Sequence, residues 1–230
     1  MVDPIDSERV EQAMRSAATC YRACSRGVQG YVRGKLAWDP VYRQLAMLAP
    51  LPQPVLDLGC GNGQMLVLLA MLQPGLAATG VDWDEHKLGP ARAATGELAS
   101  VRIEHGDLRD RPIERAGTIL LIDVLHYLEP EDQDAVLRRA VKALDAGGRL
   151  YIRDVDRVAS GRSWINRLQE GVARALGLHK GRGLHFRPSA ELIDVLTSLG
   201  TQTSIAPSWG KLPLSNRLIE ARIGAGDRAA

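Results

Sequence analysis

Residues 55–64 read VLDLGCGNGQ, an apolar run with one acid inside it, Asp57, and then Gly59, Gly61 and Gly63 at alternate positions. Two more acids end later apolar runs, Asp82 in GVDWDE and Asp107 in HGDL. A glycine-rich turn between a strand and a helix brings bare backbone N–H groups and a helix N-terminus toward a ligand. Dinucleotide-binding turns are spaced G-x-G-x-x-G, with the third glycine letting the helix pack closely under a pyrophosphate. Here the spacing is G-x-G-x-G, and the Asp57 carboxylate beside it disfavours a diphosphate and favours an ammonium group. Asp82 is suited to accept from both hydroxyls of a ribose. Asp107, one strand further along, is suited to accept from an exocyclic adenine amine. Taken alone, the glycine turn leaves two other readings open: a dehydrogenase loop, or a tight turn that holds nothing.

A different chemistry stands after the fourth apolar run, in IDVLHYL. His126 has an ordinary pKa near 6.5 and can accept a phenol or enol proton at neutral pH. A histidine there can equally cap the next turn or hydrogen-bond Asp123. Tyr127 is either a pocket wall or a core residue. The remaining histidines have no zinc-like spacing, and no acid cluster suggests a divalent ion.

These residues need strands to carry them. Apolar runs at Val55 to Leu58, Ala77 to Val81, Val101 to Glu104, Thr118 to Ile122 and Arg149 to Ile152 alternate with helical patterns at Gln64 to Leu72, Glu85 to Leu98 and Glu131 to Leu144. Strands apolar on both faces and separated by helices predict a parallel sheet covered on both sides. After a helix at Ser189 to Leu199, TQTSIAP and NRLIEARI are joined by a loop too short for a parallel crossover, so they must pair antiparallel. The expected fold is α/β, five parallel strands closed by an antiparallel pair, with helices on both faces. Before the sheet, the spacing of Val10, Met14, Ala17, Tyr21, Cys24 and Val28 predicts one helix from Ser7 that stops near Gly27 and Gly30. Cys20 and Cys24 are expected to be small buried residues. A second helix should start at Asp39 with Pro40 in its first position, before the prolines of APLPQP end it.

From about Val55 onward the chain resembles the class I S-adenosylmethionine-dependent methyltransferases. VLDLGCGNG, GVDWD, HGDL, ILLIDVLHYL and LDAGGRLYIRD look like that family's five motifs in order. The resemblance implies a seven-stranded Rossmann-like sheet, and S-adenosyl-L-methionine as cofactor with S-adenosylhomocysteine as product. Gly59, Gly61 and Gly63 would lie under the methionine part, and Asp57 would orient its ammonium. Asp82 would hold the ribose, Trp83 would cover the adenine, and Asp107 with Leu108 would bind its edge. Asp123, inside the fourth motif, joins the cofactor-binding set. Residues 1–50 would form a helical cap and residues 51–230 the cofactor-binding domain. Enzymes of this fold that methylate base amines carry Asn or Asp, then Pro-Pro and an aromatic residue, where this chain has Asp123-Val-Leu-His126. Nor is there a Pro-Cys pair for attack on a pyrimidine. In a softer likeness, RGKLAWDPVYRQL, LIDVLHYL, HFRPSAELIDVL and WGKLPLSNRLIEAR look like the small methyltransferases of bacterial aryl polyene pigment clusters, which implies an aromatic or phenolic acceptor.

With formal charge +2 and three cysteines in 230 residues, the chain reads as a cytoplasmic protein without a disulfide framework. No apolar run reaches the roughly 18 residues that a bilayer span needs. The charge is uneven. A helical insert at about 156–187 holds Arg157, Arg162, Arg167, Arg174, Lys180, Arg182 and Arg187 against Glu170 alone. A basic roof over an acceptor pocket suggests an acidic partner: a carboxylate or phosphorylated metabolite, an acidic acyl carrier protein bearing the acceptor, or RNA. The main expectation is therefore a methyltransferase acting on a small molecule. An RNA methyltransferase, and a protein that binds the cofactor without transferring methyl, are the alternatives.

Overall fold

The computed structural model describes residues 5–156, 183–209 and 215–224. Three helices open the chain, α1 (Ser7–Thr19), α2 (Arg26–Trp38) and α3 (Pro40–Ala46). Strand β1 (Val55–Leu58) and helix α4 (Gln64–Leu72) begin the alternation, followed by β2 (Ala78–Asp82), α5 (Glu85–Thr95), β3 (Val101–His105) and β4 (Ala116–Ile122). A single 3-10 turn at Leu125–Tyr127 leads to α6 (Pro130–Ala143) and β5 (Leu144–Val155). Helix α7 (Ser189–Ser198) and strands β6 (Gln202–Pro207) and β7 (Asn216–Arg222) complete the described elements.

The seven strands are ordered β3-β2-β1-β4-β5-β7-β6. The first five run parallel, and β7 inserts antiparallel between β5 and β6. This is the expected sheet. The order steps outward from β1 in both directions, first to β2 and later to β4, so a crevice opens above the carboxyl ends of β1 and β4, where ligands of open parallel sheets bind.

Two cores flank the sheet because successive strand residues point to opposite faces. Val55 and Leu120 pack with α1 to α4, through Val10, Tyr21, Leu36, Leu45, Leu66 and Leu69. Leu56, Leu58, Ile119 and Leu121 pack with α6 and α7, through Leu137 and Leu196. The N-terminal helices thus share one core with the sheet. No helix among the described residues is long and apolar enough to cross a membrane.

The N-terminal expectation needs correcting. The predicted single helix is two, α1 and α2, and the second runs through Gly27, Gly30 and Gly34 instead of stopping there. The break is made by polar groups: Ser25 caps α2 by accepting from the Val28 N–H, and the Gln29 amide donates to the Cys24 and Arg22 carbonyls. Burial of Val32 and Leu36 offsets the low helix propensity of the glycines. Cys20 and Cys24 lie at this turn and are half-buried, not buried. Helix α3 starts as expected, with the Asp39 side chain accepting from the Val41 N–H and Pro40 in the first position.

Candidate active site

The glycine turn between β1 and α4 holds all three glycines at positive φ, +87° at Gly59, +55° at Gly61 and +74° at Gly63. Their surroundings differ. A Cβ on Gly59 would sit 2.5 Å from a Val124 methyl, and one on Gly63 would sit 3.1 Å from Ala91, whereas at Gly61 the nearest atom is 3.9 Å away. Gly59 and Gly63 let the turn pack against the segments after β4 and along α5. At Gly61 a Cβ would meet only an ordinary contact with the Lys87 side chain.

Four of the backbone donors of this turn are not bare, which corrects the expectation for those four. The Gly59 and Cys60 N–H groups donate to the Val81 carbonyl at 2.7 and 3.0 Å. Gly61 donates to Asp82 Oδ2 at 2.8 Å, and Gly63 to the Cys60 carbonyl at 2.9 Å. A diphosphate would find these four donors spent. What the turn offers instead is negative. Asp57 is only 2 % exposed, and burial together with the Asp82 carboxylate pushes its pKa to about 7. A buried carboxylate beside a second one is what a cation relieves.

Asp82 ends β2 as expected. Its Oδ1 accepts from the Asp84 N–H and its Oδ2 from Gly61, so the carboxylate is fixed between two loops with lone pairs left for hydroxyl donors. Trp83 follows it at the rim, 56 % exposed. Asp107 stands beyond β3, but Arg109 grips its carboxylate with Nε and Nη2 as well as its backbone N–H. Leu108 is buried in the same core as Leu56, Leu58 and Val81. The pair expected at an adenine edge is therefore an ion-paired carboxylate beside a core leucine.

At the ends of β4 and β5 the arrangement is ionic. Asp123 adopts φ +55°, and its carboxylate is engaged by Arg153 and, at 3.3 Å, by Lys35 Nζ. Asp39 meets the same two cations, at 2.9 Å from Lys35 and 3.1 Å from Arg153. Burial works to raise the Asp123 pKa, but Arg153 and Lys35 more than offset it and hold the carboxyl low. Asp123 is thus committed to a four-residue ion cluster, where the sequence pointed to a cofactor contact. Arg153 is 5 % exposed, and its Nε has no acceptor among the described residues.

His126 is buried, at 7 % exposure, and its partner is Asp154 at the end of β5, not Asp123. Nδ1 lies 2.8 Å from Asp154 Oδ1, and the His126 backbone N–H donates to Oδ2 at 3.1 Å. A carboxylate only accepts, so Nδ1 carries the proton and Nε2 is the nitrogen left for chemistry. Burial lowers the imidazole pKa and Asp154 raises it, with a net rise above 6.5. Phe186 stacks on the ring at 4.8 Å, and Tyr127 tilts against it at 4.2 Å. Burial pushes the Tyr127 phenol up to about 12.

Residues 157–182 of the basic insert lie outside the described residues. Its last cation, Arg187, pairs with Asp134 at 2.6 Å and with Glu191 at 3.1 Å, so it adds no free charge to a roof. Sequence reading missed Asp154, Arg153 and Asp39 as site residues. For Asp154 the signal existed, since YIRD ends β5 with an acid as the earlier strands do. In the ion cluster only the i,i+4 spacing of Lys35 and Asp39 is local; Lys35 and Asp123 are 88 positions apart.

Residues 56–150 match a family model described as a methyltransferase domain. The chain is 36% identical over 105 residues to the carboxy-S-adenosyl-L-methionine synthase of Chromohalobacter salexigens, covering 44% of this chain and 39% of that protein. It is 37% identical over 106 residues to aclacinomycin 10-hydroxylase RdmB of Streptomyces purpurascens, covering 44% and 27%. The matched stretch therefore spans less than half the length of these curated relatives. Magnesium protoporphyrin IX methyltransferase ChlM from Synechocystis PCC 6803, solved with bound SAH, superposes with a TM-score of 0.61 at 20% identity over 96% of this chain and 89% of that one. At that identity the likeness is one of fold, and it extends through the helices before β1.

Proposed function

We propose that the chain is an S-adenosylmethionine-dependent methyltransferase whose acceptor is a small molecule with an acidic hydroxyl, a phenol or enol. The observation that carries this reading is the glycine turn: four of its backbone donors are satisfied within the protein, and Asp57, buried in the strand before it, has its pKa pushed to about 7. Such a crevice suits an ammonium and a sulfonium better than phosphates. The domain match over residues 56–150 and the bound SAH of ChlM support the same ligand. The cofactor supplies a methyl group already activated by positive charge.

The chain's own residues then have separable tasks. Asp57 faces the ammonium, Asp82 accepts from the ribose hydroxyls, and Trp83 flanks the adenine. The fixed positions of Asp82 and the turn lower the entropy that must be lost to align the reacting centres. His126 takes the acceptor proton on Nε2, while Asp154 keeps Nδ1 protonated and compensates the positive charge that forms. Tyr127 and Phe186 make the surroundings of that histidine aromatic, which favours an aromatic acceptor. Residues 1–50 serve as the cap, with Lys35 and Asp39 joining it to the ends of β4 and β5.

Calorimetry with S-adenosylhomocysteine and with NAD tests the cofactor. Binding of the former and not the latter is expected, and the reverse would overturn the reading. Incubation with methyl-labelled cofactor and a panel of phenols, aromatic acids, their thioesters and total RNA, followed by mass detection, tests the acceptor. Label in RNA alone would refute the small-molecule part.

A further inference from the structure

Away from the strand ends, a cleft of about 630 Å³ runs between α1 and α2 and reaches α3. Its polar lining holds Arg15, Arg22, Arg33 and Arg43 against one acid, Glu11. Glu11 serves two of these, at 2.8 Å from Arg43 and 3.9 Å from Arg15. Arg22 and Arg33 have no ion-pair partner among the described residues. Four guanidinium groups with one carboxylate leave an uncompensated positive charge on one concave surface, and concavity concentrates such a field. The floor between them is apolar, with Met14 from α1 and Leu36 from α2.

Helical spacing separates this face from the candidate active site. On α2, Arg33 and Leu36 turn toward the cleft, while Lys35 reaches Asp123 at the strand ends. The turn that carries Arg22 is rigidly held, since Gln29 donates to the Arg22 carbonyl at 3.2 Å and Tyr21 donates to the Asn62 carbonyl at 2.7 Å. A preset backbone lowers the ordering cost of binding. We propose that this cleft is a second ligand site, one that takes a small dianion with an apolar body, the chemistry of an aryl or alkyl phosphate. Arg22 and Arg33 bind the charged head by forked hydrogen bonds, for which guanidinium geometry is suited. The Met14 and Leu36 floor takes the apolar body.

The site is independent of the methyl-transfer reading and can be tested without the cofactor. The probe is 1-naphthyl phosphate, followed by its fluorescence, with inorganic phosphate and 1-naphthol as its two halves. Binding of the whole probe should exceed that of either half, and it should weaken at least tenfold in R22A/R33A. Both arginines are exposed, so the fold should survive, which circular dichroism checks. R26A removes a cation from the same cap outside the cleft lining and should leave affinity unchanged. Undiminished binding in R22A/R33A, or equal loss in R26A, would overturn the proposal. So would a short single-stranded RNA that binds through Arg22 and Arg33 when the naphthyl probe does not.

Discussion

The two ends of the crevice handle charge in opposite ways. Under the glycine turn, Asp57 and Asp82 stand together, and Asp57 responds by holding its proton up to about pH 7. At the ends of β4 and β5, two carboxylates, Asp39 and Asp123, meet two cations, Lys35 and Arg153. The first region is left short of positive charge, and the second is already balanced. A cationic ligand therefore gains more from the first, and the second serves better as a fixed wall that ties the N-terminal helices to the sheet.

The sharpest way to break this comparison is Gly59→Ala. Its Cβ would collide with Val124 in a backbone conformation that disfavours side chains, so a loss of about 3–5 kcal/mol is expected by combining overpacking with positive-φ strain. Gly61→Ala meets no such contact and should cost only about 1–2 kcal/mol. Chemical denaturation of both variants measures the difference, and equal losses would contradict the assignment of Gly59 to packing. Next comes Arg153→Met, which leaves two acids with Lys35 as their one remaining ion-pair partner among the described residues. About 3 kcal/mol should be lost, with part regained when Asp123→Asn is added; no recovery in the double variant would mean that Arg153 acts by packing alone.

His126→Ala should lower turnover at least tenfold while leaving S-adenosylhomocysteine affinity unchanged, and a pH series should add to this. Because Asp154 raises the imidazole pKa, a base at His126 gains activity as pH rises through a value above 6.5. Asp154→Asn should move that limb to lower pH; an unmoved limb would assign it to another group. The smallest effect concerns Asp57. Its folded pKa of about 7 lies above the ordinary 3.8, so its carboxyl favours the fold fully below pH 3.8 and loses that contribution as pH rises through 7. Asp57→Asn should therefore raise the melting temperature of the ligand-free protein by about 2–6 °C at pH 8 and leave it unchanged near pH 3.5. The same variant should weaken S-adenosylhomocysteine binding at pH 8, which separates ligand affinity from stability.

Local pattern was enough to locate the sheet and one half of the site. VLDLGCGNG must form a strand, a turn at positive φ and a helix, because the apolar run is short, the glycines tolerate the turn, and the following leucines sustain a buried helix. Asp57, Asp82 and Asp107 were legible for the same reason, since each stands in or just beyond a strand whose ends were recognisable. Hydrogen-bond partners were not legible in this way. Four of the turn's N–H groups are spent on Val81, Asp82 and Cys60, and Asp107 on Arg109.

By itself, then, the sequence determined the alternation of elements, the antiparallel closure by β7, the glycine turn and the acids at the strand ends. These follow from periodicity, loop length and backbone permissiveness, all read within a dozen residues. Only the tertiary structure decided that Ser25 and Gln29 divide the N-terminal helix, that Asp123 is taken by Arg153 and Lys35, and that His126 pairs with Asp154. Ionic and hydrogen-bond partners are chosen by proximity after packing, and the partners of Asp123 and His126 lie from 28 to 88 positions away.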